Sequence, residues 1–509
     1  MFKSSVMGKS IYANAVSAAA LVLTMALPAQ AWAAPYKFVN QLNVAGEALD
    51  LAPGAPDGTT PNQNRLGGFG SDLFYDNANN VWYGLVDRGP GGGLIDFETR
   101  VEKFRMDVNP SSGAISNFQL LDTIKFSNAS GAYNGLNPGL LNGNKSVLGN
   151  SFDPEGLVVN KTNGHFFVAD EYGPSVIEFD HTGSFVRQFT TPANLVPTQP
   201  DGADAGTAPD PNYVDGRPTI TKGRQDNRGF EGLTISDDGS KMYAVLQDPL
   251  VNEGTAAEGT EQTEGRRSRN VRIVEFDVAT GEATKQVIYQ LEARADINDR
   301  TPGTGVNDFS ATQQGRSIGV SAILAMGGDK FLVLERDNRG IGVDPENNAL
   351  PIGSKRIYQI DISGATDVSA ISLAGSNNLP AGVTPVSKTL YIDIQAALLA
   401  ANLPVFEKYE GLMFGPALGN GRRSLMVASD NDVSVTQTGS GEQFDVCRNP
   451  STGVYTYDNA FGGGCPAGSF LIPSTILSFA QVPEPFTSAL LLTGLGGMAW
   501  FRRRKQMAG

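Results

Sequence analysis

The sequence predicts an all-β protein, a β-propeller, on three observations: a glycine-rich and charge-poor composition, a two-strand pattern that recurs five times, and a third strand after each copy. Glycine supplies 60 of 509 residues, where an ordinary chain carries about 7%. Charged residues make up 18%, below the usual value of about 25%. Such a chain is rich in turns and poor in charged helix faces. Hydrophobic residues at 40% can fill a sizeable core and set the chain apart from disordered compositions. Length alone suggests about three domains, but the repeat replaces that count with one ring.

The first copy of the repeat reads Glu155-Gly156-Leu157-Val158-Val159, a turn at Asn163-Gly164, then Phe166 to Glu171. The second reads Glu231-Gly232-Leu233-Thr234-Ile235, a turn at Asp237-Asp238-Gly239, then Met242 to Asp248. A third opens at Glu410-Gly411-Leu412 and returns at Ser424 to Asp430. Two degenerate copies complete the set, Asp72 to Tyr75 with Val81 to Asp87, and Ala322 to Leu324 with Phe331 to Asp337. Each is followed by a strand of alternating pattern, such as Val176-Ile177-Glu178-Phe179-Asp180 and Ile273-Val274-Glu275-Phe276-Asp277; period-2 alternation marks half-buried strands.

Fourth strands follow at Phe185–Phe189 and Thr284–Tyr289, while the fifth unit lacks one; Tyr36 to Leu42 has the missing strand's pattern and could close the ring. Four-stranded units repeated radially make a propeller, here with five recognisable units and five or six blades. The first-strand anchors lie 83, 76, 91 and 88 residues apart, well above the ~40–45 of a simple blade. Long insertions are therefore expected, chiefly at 192–228 and 250–269, read as surface loops.

The two ends carry addresses. Residues 1–34 hold Lys3, Lys9, an apolar run from Ala15 to Leu27 and small residues around Ala31 and Ala33, the layout of a secretory signal peptide. A transmembrane anchor is the alternative, but the run is short of the ~20 residues a bilayer needs. Residues 482–509 read Val482-Pro483-Glu484-Pro485, an apolar stretch 486–501, then Arg502-Arg503-Arg504-Lys505. This tail resembles the PEP-CTERM sorting signal of Gram-negative bacteria, which implies a short transmembrane segment at 486–501, a membrane exosortase as processing partner, transient inner-membrane contact and delivery to the cell surface or extracellular matrix. The bland alternative is a C-terminal helix packed on the domain. Between them, 35–481 forms the propeller domain.

The chain's net charge is −14, and residues 1–34 and 486–509 carry only basic charges, so residues 35–485 carry −20. That excludes nucleic acid as a partner and suits divalent cations. Two histidines and two cysteines are too few for most zinc or iron sites. Cys447 and Cys465, 18 apart, fit one disulfide in an oxidising compartment, with two free buried thiols as the alternative.

A propeller points one end of each strand at its axis, and here those ends are acidic. Glu155, Glu231 and Glu410 open first strands; Asp87, Asp170, Glu171, Asp248, Glu335, Asp337 and Asp430 close second strands. Convergent carboxylates repel unless a cation or arginine lies between them. Oxygen donors of this kind suit Ca²⁺ or Mg²⁺, and Arg88, Arg228 and Arg336 could neutralise the ring or grip a phosphate. The structural alternative is that each acid caps a turn through backbone N–H groups. Asp430-Asn431-Asp432 opens like an EF-hand loop, but Val435 and Gly441 stand where glycine and glutamate are required. The glycine run 89–93 reads as a turn, and a Ser-His-Asp triad finds no support.

At Asp153-Pro154-Glu155-Gly156-Leu157, Arg228-Gly229-Phe230-Glu231-Gly232-Leu233, Glu335-Arg336-Asp337 and Tyr409-Glu410-Gly411-Leu412 the chain resembles the phytase-like family, also described as having esterase-like activity of phytase, over roughly residues 60–480. The resemblance implies a β-propeller and calcium-dependent hydrolysis of phosphate esters on a small phosphorylated substrate. Glu155, Asp170, Glu171, Glu231, Glu335, Asp337, Glu410 and Asp430 are then candidate calcium ligands, and Arg88, Arg228 and Arg336 candidate phosphate contacts. True propeller phytases carry a D-D-P-A type segment that has no counterpart here, so catalytic residues stay unassigned. The second reading is a non-catalytic surface propeller that binds a glycan or protein of the extracellular matrix.

Overall fold

Each repeat copy forms the two inner strands of a four-stranded antiparallel sheet, and five such sheets surround one axis. The computed structural model describes residues 36–481 except 53–62, 200–209, 215–219, 256–263, 302–304, 306, 345–346, 420, 439–440 and 458. The segments read as a signal peptide (1–34) and as a sorting tail (482–509, with its apolar stretch 486–501), and parts of both long insertions, lie outside the described residues. Among the described residues no helix is long and apolar enough to cross a membrane.

Blade one contains Asp72–Asp76, Val81–Leu85, Arg100–Val108 and Ile115–Lys125. Blade two contains Pro154–Val159, Phe166–Asp170, Ser175–Phe179 and Phe185–Gln188. Blade three has Phe230–Ile235, Lys241–Leu246, Asn270–Asp277 and Ala283–Gln290. Blade four has Ile318–Gly327, Lys330–Asp337, Lys355–Asp361 and Ser387–Asp393. Blade five takes Lys408–Ala417, Arg423–Asp430 and Ser474–Gln481, and its outermost strand is the N-terminal Tyr36–Val44. Innermost strands touch in the cyclic order one, two, three, four, five, one, so the ring shuts with five blades.

The closing strand pairs antiparallel from Tyr36 opposite Gln481 to Val44 opposite Ser474. Asn40 ties it to the next blade: its side-chain amide donates to the Ile115 carbonyl at 2.8 Å and its side-chain oxygen accepts from the Ile115 N–H at 2.9 Å. Ring closure therefore joins first and last blades through both main chain and side chain.

Glycine in the E-G-L motif reflects crowding at the axis. A Cβ on Gly156 would lie 2.6 Å from the Leu233 nitrogen, and one on Gly232 2.8 Å from the Ile323 nitrogen. Between blades the core is aromatic, with Trp82, Phe69 and Phe104 buried beside blade one and Phe126, Phe152 and Phe179 beside blade two.

Strands alternate in direction, so turns after first and third strands share one face and the remaining connections share the other. The first face carries short hairpins such as 77–80, 160–165 and 180–184, with one longer link at 362–386. The second face carries the long links 86–99, 126–153, 189–229, 247–269, 291–317, 338–354 and 431–473. These insertions explain the wide spacing, and they join the strand ends that carry the acids.

Candidate cation site

The site begins with an irregularity in the first strands. Pairing slips between Pro154 and Gly156, Phe230 and Gly232, Val320 and Ala322, and Tyr409 and Gly411. A bulge re-aims the extra residue, and the extra residues are Glu155, Glu231, Ser321 and Glu410. In blade one the same register puts Ser71 there, one residue before Asp72. A second ring follows from the second strands, whose register aligns Asp87, Glu171, Gln247, Arg336 and Asp430.

Five acids come together where blades one, two and three meet. Asp87, Asp153 and Glu155 offer carboxylate oxygens within 4.8 Å of one another, and Glu155, Glu171 and Glu231 form a second group on the same criterion. Glu155 belongs to both. All five are between 1% and 8% exposed. Neither carboxylate oxygen of Glu171 receives a hydrogen bond, nor does Oε2 of Glu231. Buried carboxylates without donors are costly as anions. Burial, with the neighbouring acids adding to it, pushes Asp87, Asp153, Glu155 and Glu231 well above the usual carboxylate range, although Arg88 pulls back on Asp153 and Arg336 and Arg228 on Glu231. The donor set and its orphaned oxygens fit a hard divalent cation, which would relieve both burial and repulsion.

Arg88 and Arg228 stand at the rim. Arg88 Nη1 lies 3.5 Å from Asp153 and hydrogen-bonds Asn227, with its guanidinium 5.8 Å from the Tyr172 ring centre. Arg228 Nε is 3.1 Å from Asp248, and its Nη1 is 3.9 Å from Glu171. Arg336 is deeper: it bonds Glu410 and lies 3.7 Å from Glu231.

The other sequence candidates divide in two. Glu410 and Asp430 remain on blade five, Glu410 with Arg336 and Asp430 accepting from Ser71 Oγ at 2.8 Å and the Asp432 N–H at 2.6 Å. Burial pushes Asp430 up to about 8. Asp170, Glu335 and Asp337, also read from the sequence as ligands, lie outside the two carboxylate groups and are engaged by other donors. Asp170 accepts from the backbone N–H groups of Asp153, Tyr172 and Gly173 and fixes the turn beyond its strand. Glu335 accepts from Tyr289 Oη at 2.7 Å, Lys388 Nζ at 2.6 Å and the Glu292 N–H at 2.7 Å, toward blade three's outer strand. Asp337 receives Lys355 Nζ at 2.6 Å and the N–H groups of Arg339, Gly353 and Ser354.

Asp87 and Asp153 are the site residues missing from the sequence-derived ligand set. A signal existed for Asp153, since residues i and i+2 of an extended strand share a face and Asp153 stands two before Glu155. Asp432, Val433 and Ser434 have positive φ and form a 3-10 turn, and Asp432 pairs with Lys408 Nζ at 2.5 Å. Cys447 and Cys465 form a disulfide with Cα atoms 5.6 Å apart. A cleft of about 770 Å³ lies among the short hairpins of blades one and two, lined by Tyr83, Lys103, Lys161 and His181, and holds none of the ring acids.

Residues 64–433 match the family model described as Phytase-like: Esterase-like activity of phytase. The chain belongs to this family. A similar protein from Arthroderma benhamiae, described as an uncharacterized secreted protein, is 27% identical over 451 residues, covering 74% of this chain and 84% of that one. Among solved structures, the periplasmic gluconolactonase PpgL of Pseudomonas aeruginosa is 14% identical with a TM-score of 0.31, covering 81% of this chain and 89% of that chain. The Dos1 propeller is 9% identical with a TM-score of 0.25, covering 81% and 68%. As a member of the phytase-like family, the chain places the E-G-L motif at the axis, where it supplies both the close-packed glycines and two of the converging glutamates.

Proposed function

We propose that the chain is an exported hydrolase of phosphate esters that works with a divalent cation, calcium first, held by Asp87, Asp153, Glu155, Glu171 and Glu231. The observation that carries this reading is the pair of overlapping carboxylate groups that share Glu155, together with oxygens of Glu171 and Glu231 that no donor satisfies. Family membership supports hydrolytic chemistry, and the signal-peptide pattern with the secreted relative supports export. The tail pattern adds an exosortase and brief inner-membrane contact on the way to the cell surface.

When bound, such a cation supplies Lewis-acid polarisation of a phosphoryl oxygen and lowers the pKa of coordinated water. The chain's own residues do the rest. The carboxylates concentrate negative charge in a site closed to bulk water, and Arg88 and Arg228, whose side chains are 19% and 21% exposed, present guanidinium groups able to bind phosphate. Asn227 and the Tyr172 ring hold Arg88 in position.

Phosphate release from phytate and from a simple aryl phosphate is the test, with added calcium and with EDTA. Turnover is expected to require calcium and to fall by at least ~10–100-fold in Glu155→Gln and Glu171→Gln, a loss that even outer residues of a metal site produce. A folded protein that binds calcium yet releases no phosphate overturns the hydrolase. The depth of the five acids would then favour the second reading, a surface propeller that binds a glycan or matrix protein and uses the ion to brace its axis.

A further inference from the structure

We infer that Arg336 acts as a built-in cation, filling the ring between blades three and five and confining exogenous metal to the half framed by blades one to three. The inference rests on the cation reading above and adds which part of the ring can take an ion. It follows from the register. At the bulge position blades two, three and five carry glutamate, whereas blades one and four carry Ser71 and Ser321. At the second-ring position blades one, two and five carry an acid and blade three an amide, whereas blade four carries Arg336. Blade four alone of the five thus carries an acid at neither position, with a hydroxyl at one and a guanidinium at the other.

The guanidinium has local consequences. Arg336 bonds Glu410 and stands 3.7 Å from Glu231, bridging the glutamates of the blades on either side of its own. Its side chain is 11% exposed, too deep for solvent to screen the pairing. Those glutamates hold it charged, pushing its pKa above the usual guanidinium value against the effect of burial. Lys408, half-buried, lies near Glu410 and Asp430 and adds positive charge on the blade-five side. On the other side of the axis neither carboxylate oxygen of Glu171 receives a hydrogen bond, and its nearest cation, Arg228, stands 3.9 Å away. Compensation from within the chain is looser there, with Arg88 3.5 Å from Asp153 and Arg228 3.9 Å from Glu171 against the direct Arg336–Glu410 bond, and that looser half is where the two carboxylate groups overlap.

Removing the guanidinium should leave Glu231 and Glu410 facing an empty place of cation size, since a paired buried charge stripped of its partner is strongly unfavourable. A metal ion can refill it. The test counts calcium ions bound by the purified protein, by equilibrium dialysis, and follows the midpoint of thermal unfolding in calcium and in EDTA. Arg336→Met is expected to bind one calcium more than the wild type and to show a larger calcium-induced rise in midpoint. Arg336→Lys, which keeps the charge, and the double variant Arg336→Met with Glu410→Gln, which removes the need for one, are expected to keep the wild-type count. An Arg336→Met protein that unfolds in EDTA and refolds in calcium supports the inference. The same protein, equally unfolded in calcium and in EDTA or binding only the wild-type number of ions, overturns it. A wild type that binds no calcium instead removes the cation reading on which the inference stands.

Discussion

Asp337 is met by four donors, a lysine ammonium and three backbone N–H groups, whereas Glu171 in the neighbouring ring is met by none. That difference separates a buried acid held by the fold from one whose oxygens receive no hydrogen bond. Glu102 on blade one is a third case, a carboxyl 1% exposed that accepts from Thr123 Oγ1 at 2.6 Å. Burial, with Asp50 nearby, pushes it up to about 8 from an ordinary 4.5. Between those two values the folded chain keeps a proton that the unfolded chain has released, so Glu102 makes stability fall as pH rises through that window, by about 1.4 kcal/mol per unit at the steepest. Glu102→Gln should flatten the decline by that amount between pH 5.5 and 7.5. Urea unfolding of wild type and variant at both pH values measures it, and an unchanged slope would show that Glu102 is not protonated in the fold. At this scale the sequence told that acids gather at strand ends but not which stay unpaired. Asp337 finds Lys355 and Glu335 finds Tyr289 and Lys388 through pairings between distant strands, which no local pattern records.

At the level of the strand, the E-G-L motif joins two requirements in consecutive residues. Its glutamate is the bulge residue turned to the axis, and its glycine lets the next blade's inner strand approach. Gly156→Ala would put a methyl 2.6 Å from the Leu233 nitrogen, a contact that only backbone movement can relieve. Overpacking of this kind costs about 1–3 kcal/mol, so the variant should unfold at lower urea with unchanged m-value. A midpoint equal to the wild type's would mean that the blades slide freely at the axis. Blade four already carries Ala322 at this position, in the same strand that has lost its axial glutamate. Strands were legible because their alternation and turns are local signals: Tyr36 to Leu42 could be read as the missing strand, and the spacing announced the insertions. Their gathering on one face was not legible, because it depends on the direction in which each strand runs.

Taken whole, the molecule keeps its short hairpins on one face and most of its long links on the other, the face at which the acid-bearing strand ends lie. One circle of five sheets replaces the domain count that length alone suggests, because each blade buries its faces only against its neighbours. The structure gives the ring a seam, where Tyr36 lies opposite Gln481 and both ends of the described chain leave side by side. Mechanically, such a seam is a zipper. If the C-terminal side is tethered and the N-terminal side is drawn away, tension falls on the Tyr36–Gln481 pair first, then on each following pair in turn, instead of shearing the whole ladder together. Single-molecule pulling from the two ends should therefore show an early, low-force release of the nine-residue strand Tyr36–Val44, lengthening the chain by roughly 30 Å before any blade ruptures. One high-force event in its place would show that Asn40 and its partner Ile115 lock the seam. A propeller held at a surface by one end would yield at its fifth blade under drag, well before the cluster at blades one to three is disturbed.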